Sequence, residues 1–353
     1  MTEPPVLSRR ELNRALLARQ HLLAPAQRPV VEMVEHLVGM QAQEPQAPYI
    51  GLWNRLHPFD PEDLSSLIDE GQAVRGSLMR STVHLVTAGD YRLLWPLMRT
   101  VLARHFQGSQ FRKAIAGAST DAVLDAGRAL IDEWPRTRGE LRELLGARWP
   151  GIDPTSLAYA VSYLMPLVQV PPRGLWRASG QARLATADTW LGASLPDEPP
   201  SDACEQVIAR YLAAFGPARV KDIQAWCGMT RLSSVVDRMR PRLRTFRDEL
   251  GRELFDVPDG PLPDPDIQAA PRLLAPFDNV ILGHDDRSRI IADEHRAQLS
   301  RDRLMRAFLV DGFVAGTWRL DRGALTLEPF GRLRKSDRAA LDGEAQRLRE
   351  FIG

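Results

Sequence analysis

Residues 203–257, ACEQVIARYLAAFGPARVKDIQAWCGMTRLSSVVDRMRPRLRTFRDELGRELFDV, decide the fold of this chain. Apolar residues recur at helical spacing over 203–215, and Gly216-Pro217 interrupts the run. Residues 218–226 read as a second helix ended near Gly228, and 232–239 as a third. Residues 243–257 then alternate apolar and polar around Gly251, as a hairpin does. Helix, helix, turn, helix and wing is the order of a winged-helix module.

Working outward, the same order recurs without an exact residue period. At the N-terminus, Ser8 and Glu11 form a capping-box pattern ahead of a helix with Leu12, Leu16 and Leu23 on its apolar face. A second helix is expected from about 29 to 41. A third is expected from Pro61, closed by Gly71, followed by a Gly76 turn and a strand alternating through Met79, Ser81, Val83 and Leu85. In the middle, residues 121–148 carry two helices and 155–167 a third, with two strands expected around Gly180 over 174–190. The proline-rich residues 195–200 mark a boundary.

Beyond Pro265 the sequence turns strand-rich: LLAPFDNVILG, RSRII, AFLVDGFVAGTWRL and ALTLEPFGRL, with Asp311-Gly312 as a hairpin turn and a closing helix over 336–352. The expected fold is α+β and mainly helical. Its expected divisions are winged-helix modules over 1–110, 111–200 and 201–264, then a β domain over 265–353.

The chain has 353 residues, long enough for several small cores, and 46 basic against 45 acidic residues give no global attraction to polyanions. Lys113, Lys221 and Lys335 are the only lysines, so nearly all the positive charge is arginine. Cys204 and Cys227 lie in no metal-ligand spacing, which argues against a zinc site or a disulfide framework. No apolar run approaches the roughly 18 residues of a membrane span, and no export signal precedes the first helix. A cytoplasmic protein without a membrane partner is expected.

Residues 37–53, LVGMQAQEPQAPYIGLW, hold the chemically suggestive feature. Gln41 takes a place where the helical pattern calls for an apolar residue, and Gln43 follows it just before Glu44-Pro45. If the chain is extended there, both amides face one side and Ala42 the other. By themselves such residues are far more often a hydrogen-bonded polar group at a helix end than a catalytic pair.

Five segments, LLARQHLL, HLVGMQAQEPQAPYIGLWNRL, GSLMRSTVHLVTAGDY, LLAPFDNVILGHDDRSRII and VDGFVAGTWRL, resemble the AlkZ-type, YcaQ-like winged-helix DNA glycosylases across almost the whole chain. The resemblance implies tandem winged-helix modules forming a C-shaped clamp for duplex DNA, with a C-terminal antiparallel β-barrel-like domain. It also implies that Gln41, Ala42 and Gln43 stand at the catalytic motif. Its glutamine version implies removal of bulky N7-alkylguanines or interstrand crosslinks made by DNA-alkylating natural products, a self-resistance and base excision repair role. The implied protein is a monomeric hydrolase in the bacterial cytoplasm, bound to the nucleoid through double-stranded DNA, with no cofactor or metal.

Other candidates are weighed against structural roles. Arg80, Thr82 and His84 alternate on one side of the expected strand, to line a lesion pocket or form a structural network. Asp285, Arg287 and Arg289 belong to a turn that would bring a hairpin to DNA, unless it is a salt-bridged β turn. Arg177 and Arg183 on the middle wing are candidate phosphate contacts. Tyr49, Trp53 and Trp318 are candidates for stacking on a base, with core packing the stronger expectation for both tryptophans. The alternative functions are a non-catalytic winged-helix transcription regulator and a protein that sequesters the free alkylating compound. The third helix of the middle module is too apolar to read base edges.

Overall fold

The computed structural model describes residues 3–353, in two compact units. One comprises Met1–Phe59, Glu205–Trp226 and Thr230–Gly353; the other comprises Asp60–Cys204 and Cys227–Met229. The break between Phe59 and Asp60 falls inside the expected 1–110 segment. Among the described residues no helix is long and apolar enough to cross a membrane.

In the first unit, Ser8 caps the helix Arg9–Arg19 as its sequence predicts. The Ser8 hydroxyl accepts from the Glu11 N–H at 3.2 Å, and the Glu11 carboxylate accepts from the Ser8 N–H at 2.7 Å. The winged-helix reading of 203–257 is realised by helices Ala203–Phe215, Val220–Cys227 and Ser233–Met239 and the hairpin Arg244–Asp248 with Glu253–Asp256. Sequence reading did not anticipate the third strand of that sheet, Val6–Leu7, which pairs in parallel with Arg244–Asp248. Leu7 and Leu12 close over Phe246 and Leu254, joining the start of the chain to the wing. Beneath them Arg19 and Asp256 form a fully buried ion pair, 2.5 Å apart at the closest.

The C-terminal sheet of this unit runs Arg272–Leu273, Ala307–Val310, Phe313–Asp321 and Ala324–Pro329 in antiparallel order. Its turn uses positive φ at Asp311 (45°) and Gly312 (80°), the geometry of a type I′ hairpin. The sheet is open, so the barrel-like expectation stops at an antiparallel sheet with no closed barrel. Helix Lys335–Ile352 covers it, packing Leu341 and Leu348 with Phe308 and Trp318. Each such buried side chain stabilises the fold by about 1.5–3 kcal/mol. Ala47 and Ile50, from the helix Ala47–Trp53, join the same core.

Several sequence expectations are corrected here. Of LLAPFDNVILG only Leu273 joins a strand, Arg272–Leu273, and Asp278 caps a helix at Asn279–Leu282 by accepting from the Val280 N–H at 3.0 Å. RSRII forms no strand, and the helix Asp293–Leu299 follows it. The second helix stops at His36 instead of Gln41: Val38 and Gly39 adopt positive φ of 53° and 95°, and glycine just beyond a helix end is suited to that region.

The second unit places five short strands in one antiparallel sheet, in the order Val83–Thr87, Ala73–Ser77, Leu167–Val170, Arg183–Thr186, Arg136–Thr137. Gly76 lies within a strand, and the turn comes at 78–82. The wing expected around Gly180 has one of its strands elsewhere. Pro166 ends the helix Pro154–Leu164, so Leu167–Val170 becomes the partner of Arg183–Thr186. Helices Thr120–Glu133, Arg138–Arg148 and Pro154–Leu164 enclose an apolar core that includes Val123, Leu141, Leu145 and Leu157. Helix Ala88–Gln107, absent from the sequence reading, is capped by Thr87, whose hydroxyl accepts from the Asp90 N–H.

Candidate active site

The Gln41 segment begins in the left-handed turn at Val38 and Gly39. A β-branched residue at positive φ costs on the order of 1–3 kcal/mol and persists only where its surroundings impose it. Val38 is fully buried, and the Asn279 side-chain N–H donates to the Gly39 carbonyl at 3.1 Å. The chain then enters the strand Met40–Gln41 and bends through Pro45 into the helix Ala47–Trp53.

Alternation works here as the sequence predicts, although Gln41 sits on a strand and not at a helix end. Ala42 is fully buried, Gln41 is 7% exposed and Gln43 is exposed. Gln41 Nε2 donates to Gln43 Oε1 at 2.9 Å, so the two amides form one oriented pair. Gln41 also lines a cavity of about 20 Å³, with Gln20, Arg55, Asp278 and Asn279 among its walls. That is room for about one water molecule in polar surroundings.

Behind the cavity the polar groups bond one another, with Arg55 Nε left without a partner among the described residues. Arg55 donates to both oxygens of Asp278 at 2.9 and 2.7 Å and to Gln20 Oε1 at 3.1 Å. Gln20 Nε2 in turn donates to the Ala214 carbonyl at 2.7 Å. The Asp278 carboxylate is therefore engaged by a guanidinium and a helix cap. Sequence reading missed Gln20, Arg55, Asp278 and Asn279 as parts of this site; the signal available was their presence inside the segments that carry the family resemblance.

In the second unit, Arg80, Thr82 and His84 do come together, though on a turn and not along one strand face. Arg80 and Ser81 have φ of 53° and 59°. The His84 Nδ1–H donates to the Thr82 carbonyl at 3.0 Å, which leaves Nε2 as an acceptor 3.4 Å from Arg80 Nη2. Burial, reinforced by the Arg80 charge and opposed by the Thr82 bond, pushes the His84 pKa down to about 3. The ring is neutral at physiological pH, as an acceptor facing arginine must be.

The remaining candidates separate by burial. Arg289 is 4% exposed and donates to the Pro217 carbonyl at 2.7 Å, which removes it from phosphate reach. Asp285 pairs with Arg219 at 3.1 Å, and Arg183 makes a two-pronged pair with Glu140 at 3.1 and 3.0 Å. Arg287 is half-buried, beside Asp285 and Arg296, and the exposed Arg177 lies over the Trp176 ring. Tyr49 is fully buried, so it offers no face for a base to stack on. The tryptophans follow the core expectation: Trp318 donates to the Leu274 carbonyl and is 2% exposed, and Trp53 stacks on Phe351.

Comparison with known proteins agrees with this architecture. The family described as DNA glycosylase AlkZ-like matches residues 34–351. A curated relative from Streptomyces sahachiroi, named an interstrand DNA cross-link repair glycosylase, is 24% identical over 96% of this chain and 94% of its own length. The solved structure of the Streptomyces sahachiroi DNA glycosylase AlkZ superposes with a TM-score of 0.80 at 22% identity, covering 98% of this chain and 97% of that one.

Proposed function

Because the chain belongs to the AlkZ-like DNA glycosylase family, we propose that it hydrolyses the N-glycosidic bond of N7-alkylguanine in duplex DNA, with Gln41 and Gln43 as the catalytic pair. Bulky monoadducts and interstrand crosslinks from genotoxic natural products are the proposed lesions, and self-resistance followed by base excision repair the proposed role. The name of the Streptomyces relative supports the crosslink part of this reading. The observation that carries it is the amide pair itself, oriented by the Gln41 to Gln43 hydrogen bond.

The chemistry is compatible with amides. N7-alkylation places a positive charge on the guanine, so the bond from C1′ to N9 breaks with its electron pair leaving on a base that becomes neutral, without protonation. The sugar acquires oxocarbenium character, as in glycoside hydrolysis generally. An amide oxygen accepts a hydrogen bond from the attacking water and turns its dipole toward the sugar cation. Water oxygen bonds to C1′, and its proton is released to solvent. A pair of glutamines thus suffices only where alkylation has already made the bond labile.

The test is incubation with a duplex carrying one defined N7-alkylguanine, followed by alkaline cleavage at abasic sites. The wild-type protein is expected to give strand breaks, and the Gln41→Ala/Gln43→Ala variant to lose about 100-fold or more in rate while still binding the duplex. Absence of breaks with wild-type protein on both simple and bulky adducts rejects the activity. Normal excision by the double variant rejects the site.

A further inference from the structure

We infer that Asn279 is a positioning residue for Gln41, holding the catalytic segment from 240 positions away in the sequence. This inference rests on the role proposed above for Gln41. Its starting point is the backbone: two consecutive residues of positive φ, Val38 and Gly39, aim the strand that carries Gln41, and Val38 is a residue type that does not favour that conformation. Local bonds close the turn itself, the Val38 N–H donating to the Glu35 carbonyl at 3.0 Å and the Gly39 N–H to the Val34 carbonyl at 3.1 Å, and one further bond reaches it from a distant segment. The Asn279 Nδ2–H bond to the Gly39 carbonyl acts at the junction between the turn and the strand.

Asn279 is itself firmly placed. It is 6% exposed and opens the helix Asn279–Leu282, whose cap Asp278 is gripped by Arg55. Arg55 also donates to the Gly51 carbonyl within the helix that follows the glutamines, and to Gln20. Gln41 is therefore approached from both sides: Asn279 fixes the chain before it, and the Arg55–Asp278 pair fixes the helix after it. Asn279, Asp278, Arg55 and Gln41 all border the same small cavity. The DNVILGHDDR stretch thus supports the glutamines through Asp278 and Asn279, and DNA contact is not needed to explain those two residues.

The experiment is a split between binding and chemistry. Asn279→Ala and Asn279→Asp both remove the side-chain N–H donor, one leaving space and the other keeping the shape. Each is expected to lower the single-turnover excision rate about 10- to 100-fold, the scale of a small misplacement of a catalytic group. The dissociation constant for the same duplex is expected to stay within about twofold, because the residue is buried. Excision by both variants at the wild-type rate overturns the inference. So does a rate loss matched by an equal loss of duplex affinity and a collapsed thermal transition, which marks a general fold defect. If wild-type protein excises, the glutamine double variant does not, and Asn279→Asp is unimpaired, only this inference fails; if the glutamine variant excises, the catalytic assignment fails first.

Discussion

The chain takes up left-handed backbone just before Gln41 and just before His84, and the two turns differ in what they add to their local bonds. In the first unit, Val38 and Gly39 precede Gln41; their N–H groups donate to the Glu35 and Val34 carbonyls, and Asn279 adds a bond to the Gly39 carbonyl from a distant segment. In the second, Arg80 and Ser81 precede His84, and the turn closes on itself: Leu78 donates to Thr82, Ser81 to Leu78, and the Thr82 N–H and hydroxyl both to the Met79 carbonyl. One turn is a local motif whose geometry lives within a few residues. The other has, besides its local bonds, one supplied by a distant segment. The proposed catalytic segment therefore takes part of its placement from the tertiary structure around it, which suits a group that must be oriented and need not titrate.

The largest expected effect separates the two kinds of support. Asp278→Ala leaves the Arg55 guanidinium buried without its carboxylate and is expected to cost about 3–5 kcal/mol in denaturant unfolding. Thr82→Val removes one side-chain bond from the local turn and is expected to cost about 1 kcal/mol. Equal costs would erase the distinction between the distant and the local hold.

A second, intermediate effect comes from buried histidines, one in each unit. His84 and His284 both have pKa values pushed down to about 3, in each case chiefly by burial. The unfolded chain, with histidine near 6.5, binds protons that the folded chain refuses. Stability is therefore fully present above about pH 6.5 and falls as the pH drops from there toward 3, by up to about 1.4 kcal/mol per pH unit for each ring. Unfolding free energies measured between pH 7 and 4 are expected to slope less steeply in His84→Leu than in wild-type protein by that amount. An unchanged slope would mean that His84 is protonated in the folded state.

The smallest effect concerns the middle wing. The Arg183–Glu140 pair is partly exposed, so Arg183→Ala is expected to cost about 1 kcal/mol or less. With its guanidinium already occupied by Glu140 and Pro135, its loss is expected to leave duplex affinity within about twofold. A large loss of binding that weakens with added salt would return Arg183 to the role of a phosphate contact.

What the sequence by itself determined is local. The Ser8–Glu11 cap, the 203–257 winged-helix order, the Asp311-Gly312 turn and the common facing of Gln41 and Gln43 all follow from torsions and hydrogen bonds spanning a few residues. The family resemblance supplied the chemistry proposed for the glutamines, which alternation alone left open. Tertiary structure decided the rest: that Val6–Leu7 completes the wing sheet, that NVIL is helical, that Arg289 is buried while Arg177 is exposed, and that Asn279 reaches Gly39. The physical reason is desolvation. Which polar groups are removed from water together, and must therefore satisfy one another, depends on which distant segments pack, and residue type alone does not carry that information.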